Sequence, residues 1–239
     1  MASPLSDGSR VAWVVGAGGI GSAVAEALSG RFALVVFDRE SGDRSRPVVL
    51  LDAVNSSSVR DAVEETAAKH GIPEVVVYCV GYVSAATVES VTVAELHRII
   101  DHNFTGLIYF LQALRRILRS APCTCLVVTS NAAFVARPDQ PLYAAMKAAV
   151  ASLVKSLAAG WAASGIRLVA VAPGTVIVDR NRDAVLRRYP DAPHDGGRPS
   201  GRLLLPADLA SFIADLTDHC DQLTGQTLIF DGGSSLGGR

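Results

Sequence analysis

An excess of charge of either sign is the first thing this 239-residue chain lacks: 22 basic and 23 acidic residues leave a net charge of -1. That balance supplies no electrostatic argument for nucleic acid or a membrane surface as partner, so any ligand must be argued from local residues. Cysteine is sparse, with Cys79, Cys123, Cys125 and Cys220 in no C-x-x-C pair and no histidines at zinc spacing. These read as buried free thiols, and no metal is called for. The chain also lacks an uninterrupted apolar run of membrane-spanning length, and residues 1 to 9 (MASPLSDGS) have neither the charged start nor the apolar stretch of a secretion signal. A cytoplasmic location is expected. Lysine is scarce, 3 against 19 arginines, a bias of composition without chemical weight. No internal repeat or low-complexity tract is present.

What the chain does have is alternation of short apolar runs with helical patterns. VAWVV (11 to 15), ALVVF (33 to 37), VVLL (48 to 51), EVVVYCV (74 to 80), CLVVTS (125 to 130), IRLVAVAPG (166 to 174) and QTLIF (226 to 230) read as strands buried on both sides. Between them, SAVAEALSG (22 to 30, with Gly30 as cap), residues 56 to 69 and a long pattern to about residue 118 opened by Thr92 and Glu95 as a capping box read as helices. Strands joined by single helices need right-handed crossovers, hence a parallel sheet covered on both faces. The expectation is one doubly wound, Rossmann-like α/β domain over residues 1–239. Residues 179 to 202 form one long irregular insertion that behaves like a lid.

Two features of this frame carry chemistry. Leu142, Ala145, Met146, Ala149, Val150, Leu153 and Leu157 trace an apolar helix stripe, which places Tyr143 and Lys147 together on another face one turn apart. A phenol ionises near ~10, and a neighbouring ammonium lowers that value toward neutrality, so Tyr143 can exchange protons with an alcohol or carbonyl. Ser130 stands at the carboxyl end of its strand, where open parallel sheets bind ligands. The second feature is the turn Gly16-Ala17-Gly18-Gly19-Ile20-Gly21 between the first strand and first helix. Gly16, Gly18 and Gly21 satisfy G-x-G-x-x-G, in which glycines let a pyrophosphate approach the helix N-terminus. Asp38, ending the second strand, can accept hydrogen bonds from the adenosine ribose and would repel a 2′-phosphate, which favours NAD over NADP. Arg39 either softens that repulsion or is a solvated loop charge. Asp52 either reaches the adenine edge or caps a strand end.

With these residues in place the chain resembles the short-chain dehydrogenase/reductase family over nearly its whole length. Asn103 in HNFTG, the VAPG segment at 171 to 174, GQTLIFDGG at 225 to 233 and the thirteen-residue separation of Ser130 and Tyr143 support the resemblance. It implies Tyr143 as acid/base, Ser130 as hydrogen-bond partner of the substrate oxygen, and Lys147 as holder of the nicotinamide ribose that also lowers the tyrosine pKa. Asn103 would kink the long helix and hold a water; otherwise it is a helix-surface amide. Gly81, Pro173, Gly174 and Val176 would line the cofactor, with the Val178 backbone near the carboxamide. The chain departs from the family pattern in three places. Its glycine turn is one residue short and preceded by Val15, Tyr78-Cys79-Val80-Gly81 stands for Asn-Asn-Ala-Gly, and Val178 stands for a threonine.

The resemblance implies hydride transfer between NAD(H) and a secondary alcohol or ketone on a small biosynthetic metabolite. Arg137 and the lid arginines Arg180, Arg182, Arg187, Arg188, Arg198 and Arg202 suit an acidic substrate, or are solvated charges with internal ion pairs. A cyclic substrate fits a short lid. The family also implies a homo-oligomer, a tetramer or dimer, packed through the helices that hold Asn103 and Tyr143. Two other functions are kept open: a catalytically silent nucleotide-sensing protein, and dehydration or epimerisation of a nucleotide sugar, for which the chain looks short.

Overall fold

The computed structural model describes residues 10–41, 47–191, 194, 199–219 and 221–236. Cys220 and Arg198 lie outside them. In chain order the elements are β1 (Val11–Val15), α1 (Gly19–Leu28), β2 (Ala33–Asp38), β3 (Val48–Leu50), α2 (Ser56–His70), β4 (Val75–Tyr78), α3 (Val93–Ile100), a π-helical turn (Asp101–Thr105) and α4 (Gly106–Leu118). They continue with β5 (Cys123–Val128), α5 (Pro141–Trp161), β6 (Ile166–Pro173), α6 (Arg182–Arg188), α7 (Pro206–His219) and β7 (Thr227–Phe230).

All seven strands join one sheet in the order β3-β2-β1-β4-β5-β6-β7, and every pairing is parallel. Alternate residues of each strand serve opposite faces, as a period of two demands. From β1, Val11, Trp13 and Val15 enter one core with Phe37, Val76, Phe110, Leu114, Val150 and Val154, under α2, α4 and α5. Ala12 and Val14 enter the other with Val24, Leu28, Val36, Val77, Leu209 and Ile213, under α1 and α7. Each such large apolar side chain contributes about 1.5–3 kcal/mol on burial, which is why near-continuous apolar runs become central strands. The winding direction reverses between β1 and β4, so their carboxyl ends diverge and leave the crevice in which doubly wound sheets bind ligands.

Several local readings are refined. Gly30 follows the C-cap Ser29 with φ +83, a left-handed position that stops α1. Thr92 caps α3 by accepting from the Glu95 amide at 3.2 Å, but Glu95 does not complete the box. Its carboxylate instead accepts from the Ser84 hydroxyl at 2.7 Å and the Tyr82 hydroxyl at 3.0 Å. The insertion at 179 to 202 is not wholly irregular. It opens with a 3-10 turn (Asp179–Asn181) and α6, held down by Val185 packing with Ile177 and Leu203. α7 is an element beyond those the sequence patterns above predict; Pro206 at its start and Leu209, Ala210, Ile213 and Ala214 at helical steps are its signals. Cys123 and Cys125 are buried free thiols, as expected, whereas Cys79 is a free thiol only half-buried.

Candidate active site

Ser130 follows β5 directly, and the residue before it locks the site together. The Thr129 amide donates to the Val171 carbonyl at 2.8 Å, continuing the ladder to β6, while its hydroxyl donates to the Lys147 carbonyl at 2.8 Å. That second bond fixes the α5 backbone against the end of β5. Ser130 then caps a short 3-10 turn, its hydroxyl oxygen accepting from the Ala132 amide at 3.1 Å. Buried Asn131 donates to the Asp231 carboxylate at 3.1 Å and to the Ser234 hydroxyl at 3.0 Å, tying the Ser130 loop to the segment after β7. Burial opposes the charge on Asp231, but hydrogen bonds from Asn131, Ser234, Ser235 and Gly233 hold its pKa below the usual aspartate value.

Tyr143 and Lys147 sit one turn apart on α5, with the Lys147 Nζ 5.7 Å from the centre of the phenol ring. Lys147 is 4% exposed, and burial lowers its pKa from 10.5 to about 8, with the Arg180 charge adding to the shift and Cys79 opposing it. Tyr143 departs from expectation: its pKa is raised, because burial outweighs the Ser130 hydrogen bond and the charges of Arg180 and Arg137, which lower it. Lys147 is not among the groups that set it. The reason is physical: with its own pKa lowered to about 8, Lys147 has lost its charge by the pH at which the raised phenol ionises.

Asn103 is 2% exposed and lies in the π turn that interrupts the long helix, as expected of a kink. Its Nδ2 donates to the Tyr82 carbonyl at 2.7 Å and the Ile99 carbonyl at 2.9 Å, and its Oδ1 accepts from the Tyr82 amide at 3.2 Å. The side chain thus pins the loop after β4, and it is not a surface amide. Gly81 in that loop leaves no room for a side chain: a Cβ there would stand 3.0 Å from the Lys147 Nζ and 3.3 Å from the Asn103 Oδ1.

Ser130, Tyr143 and Lys147 line a cavity of about 370 Å³ together with Arg137, Pro173, Gly174, Val176 and Arg180. A second cavity of about 600 Å³ is lined by Gly16, Gly18, Gly19, Gly21, Asp38, Arg39 and Asp52. Ile20, Cys79, Gly81, Val178 and Arg180 border both, so the two meet. The residues fit a dinucleotide. α1 starts at Gly19 with no side-chain cap on its first amides, Gly18 faces open space, and a Cβ on Gly21 would collide with the Gly16 carbonyl oxygen. Gly19 lies close under the segment after β6: a Cβ there would meet the Val178 side chain at 2.7 Å.

Asp38 turns one oxygen inward to accept from the Ala17 amide at 2.6 Å, and so braces the glycine turn as well as bordering the cavity. Arg39 pairs with Glu40 at 3.0 Å. Asp52 borders the cavity while one oxygen accepts from the Val54 amide at 3.2 Å, the capping role. Of the arginines offered for substrate, only Arg137 and Arg180 reach the catalytic cavity among the described residues. Arg202 instead forms a forked pair with Asp208 at 2.6 and 2.8 Å. Thr129, Asn131 and Asp231 were not singled out from the sequence; their signal is a polar residue at the end of a buried apolar run.

A family profile described as "Enoyl-(Acyl carrier protein) reductase" matches residues 15–235. The chain belongs to the short-chain dehydrogenase/reductase family. Among curated relatives, the cis-4-hydroxycyclohexanecarboxylate dehydrogenase of Sinomonas cyclohexanicum is 34% identical, covering 94% of this chain and 96% of its own. Among solved structures, the ligand-free aldohexose dehydrogenase of Thermoplasma acidophilum superposes with a TM-score of 0.86 at 27% identity, covering 96% of this chain and 95% of its own. ElxO with NADP bound shares the fold, with a TM-score of 0.85 at 21% identity over 94% of this chain and 98% of its own. This short-chain dehydrogenase/reductase is therefore an oxidoreductase acting on CH-OH groups with a nicotinamide cofactor.

Proposed function

We propose that this protein interconverts a secondary alcohol and a ketone on a small acidic or cyclic metabolite, using NAD(H), with Tyr143 as the proton-transfer group. One observation carries the reading: Ser130, Tyr143 and Lys147 face a single cavity that meets the glycine cradle at Ile20, Gly81 and Val178. The amides of Gly18 to Gly21, the Asp38 carboxylate, Lys147 and the Val178 carbonyl are the groups that would hold the dinucleotide, since the Val178 amide is engaged by Asn181. A bound nicotinamide supplies the hydride acceptor or donor, which no side chain can. Ser130 orients the substrate oxygen by a hydrogen bond. Tyr143 takes the hydroxyl proton in oxidation and returns it in reduction. Protonated Lys147 favours the phenolate that the first of these steps creates.

The intact proton-transfer set supports catalysis over a silent nucleotide-sensing role. The Sinomonas cyclohexanicum relative, named for a cyclic hydroxy acid, supports the substrate class. Supplying NAD with cis-4-hydroxycyclohexanecarboxylate and a panel of neutral secondary alcohols tests both. Bound NADH without turnover of any alcohol or ketone would return the silent reading.

Cofactor choice rests on Asp38. Its carboxylate, fixed by the Ala17 amide, borders the cradle and would repel a 2′-phosphate, while the neighbouring Arg39 pairs with Glu40. NADH is expected to bind roughly tenfold or more tightly than NADPH by fluorescence titration, and Asp38→Ser to narrow the gap. Tighter NADPH binding by the wild type would overturn the choice.

Self-association is proposed from α5. Pro141–Ser164 has a mean hydropathy of 1.3 over an 18-residue window, enough by length and composition to cross a membrane, yet only 28% of that window is buried. The same helix carries Lys147 and Tyr143 into the cavity and packs Val150, Val154 and Ala158 on the sheet. Its other apolar face suits a second copy of this chain. Light scattering at micromolar concentration should give a dimer or tetramer; a monomer would count against it.

A further inference from the structure

Arg180 stands out in the catalytic cavity by the absence of a partner among the described residues. Its root is rigid: the Asn181 side chain accepts from the Val178 amide at 2.9 Å and donates to the Val176 carbonyl at 2.9 Å, pinning the turn from which Arg180 projects. The guanidinium itself makes no hydrogen bond or ion pair with any described residue. Three other arginines of the set have acidic or amide partners: Arg137 meets Asp139 and Gln140, Arg182 meets Asp179, and Arg202 meets Asp208. No aspartate or glutamate stands on the cavity wall among the described residues, whereas buried Lys147 adds a second cation.

We infer that Arg180 anchors a carboxylate on the substrate while Ser130 and Tyr143 engage its hydroxyl or carbonyl. This rests on the alcohol–ketone reading and narrows it to hydroxy acids and keto acids. The planar fork of arginine matches a carboxylate by two parallel hydrogen bonds. The Arg180 charge also lies close enough to lower the pKa of both Tyr143 and Lys147. Neutralising it with a substrate anion relieves like-charge repulsion on Lys147. Because Arg180 also borders the dinucleotide cavity, the same fork could meet the diphosphate of the cofactor, and the test must separate the two oxyanions.

The test uses the intact protein saturated with NADH, titrated with cyclohexanecarboxylate or uncharged cyclohexanecarboxamide and followed by the fluorescence of the bound dinucleotide. The wild type should bind the carboxylate roughly ten- to hundredfold more tightly than the amide, the range of a charge-assisted hydrogen-bonded pair. Arg180→Ala, an exposed position whose fold is checked by melting, should bring the ratio to about one, and Arg180→Lys should leave it between. A ratio that survives in Arg180→Ala overturns the inference; if NADH affinity falls at the same time, the fork serves the diphosphate. Equal binding of acid and amide by the wild type overturns it as well. Failure of the underlying reading looks different: Tyr143→Phe would then keep turnover, whatever the acid-to-amide ratio.

Discussion

Tyr143→Phe should abolish alcohol oxidation, with kcat lower by roughly 10²–10⁴-fold, the usual worth of a positioned general acid or base. NADH affinity should stay nearly unchanged, because the phenol lies on the wall of the first cavity and not of the one lined by the glycine turn. The exchange removes one oxygen from a half-buried ring, so packing on α5 is retained and melting should barely move. Loss confined to kcat means that the hydroxyl acts on the reacting proton; a rise in KM with unchanged kcat would mean that it only holds substrate. Ser130→Ala should lose less kcat, since it removes a hydrogen bond to the substrate oxygen but no proton carrier. Unchanged reduction of NAD by Tyr143→Phe with an active alcohol would end the proposal that Tyr143 is the acid/base.

The strands and the catalytic trio were legible because each is written locally. A β-branched run such as VAWVV specifies a doubly buried strand by itself, and a four-residue step on a helix places Tyr143 beside Lys147 without tertiary information. What was not legible depends on partners remote in sequence. Asn131 reaches Asp231 across the whole second half of the chain, and only the sheet order, with β7 beside β6, brings them together. Asp38 was readable as an acid at a strand end, yet its bond to Ala17 exists only because β2 pairs with β1 in one register, Val15 beside Phe37. Asn103 shows both halves: its kink was expected, but its amide is spent on the backbone of Tyr82, a contact set by the fold. The direction of the Tyr143 shift was missed for the same cause. Spacing reports which charge is near, whereas burial, the larger effect here, belongs to the assembled site.

Lys147→Met is expected to stabilise the cofactor-free protein at pH 7 while abolishing turnover. The lysine is 4% exposed, and its pKa falls from 10.5 to about 8 on folding, chiefly through burial. Between these values the unfolded chain binds more protons than the folded one, so wild-type stability rises with pH through that window. The cost of burying the ammonium is therefore fully present below pH 8 and gone above pH 10.5, and it is on the order of 3 kcal/mol. Methionine fills similar volume without a charge and escapes the cost. In urea melts the variant should exceed the wild type by up to about 3 kcal/mol at pH 7, and the difference should shrink as pH passes from 8 to 10.5. A variant less stable than wild type at pH 7 would show that the cavity compensates Lys147 through groups other than those around it here. The expected result carries a functional meaning: the free protein holds an ammonium in a place that costs stability, which persists only where the charge has work to do. In this site the work is to favour the Tyr143 phenolate at the moment the substrate proton arrives, and a methionine cannot do it.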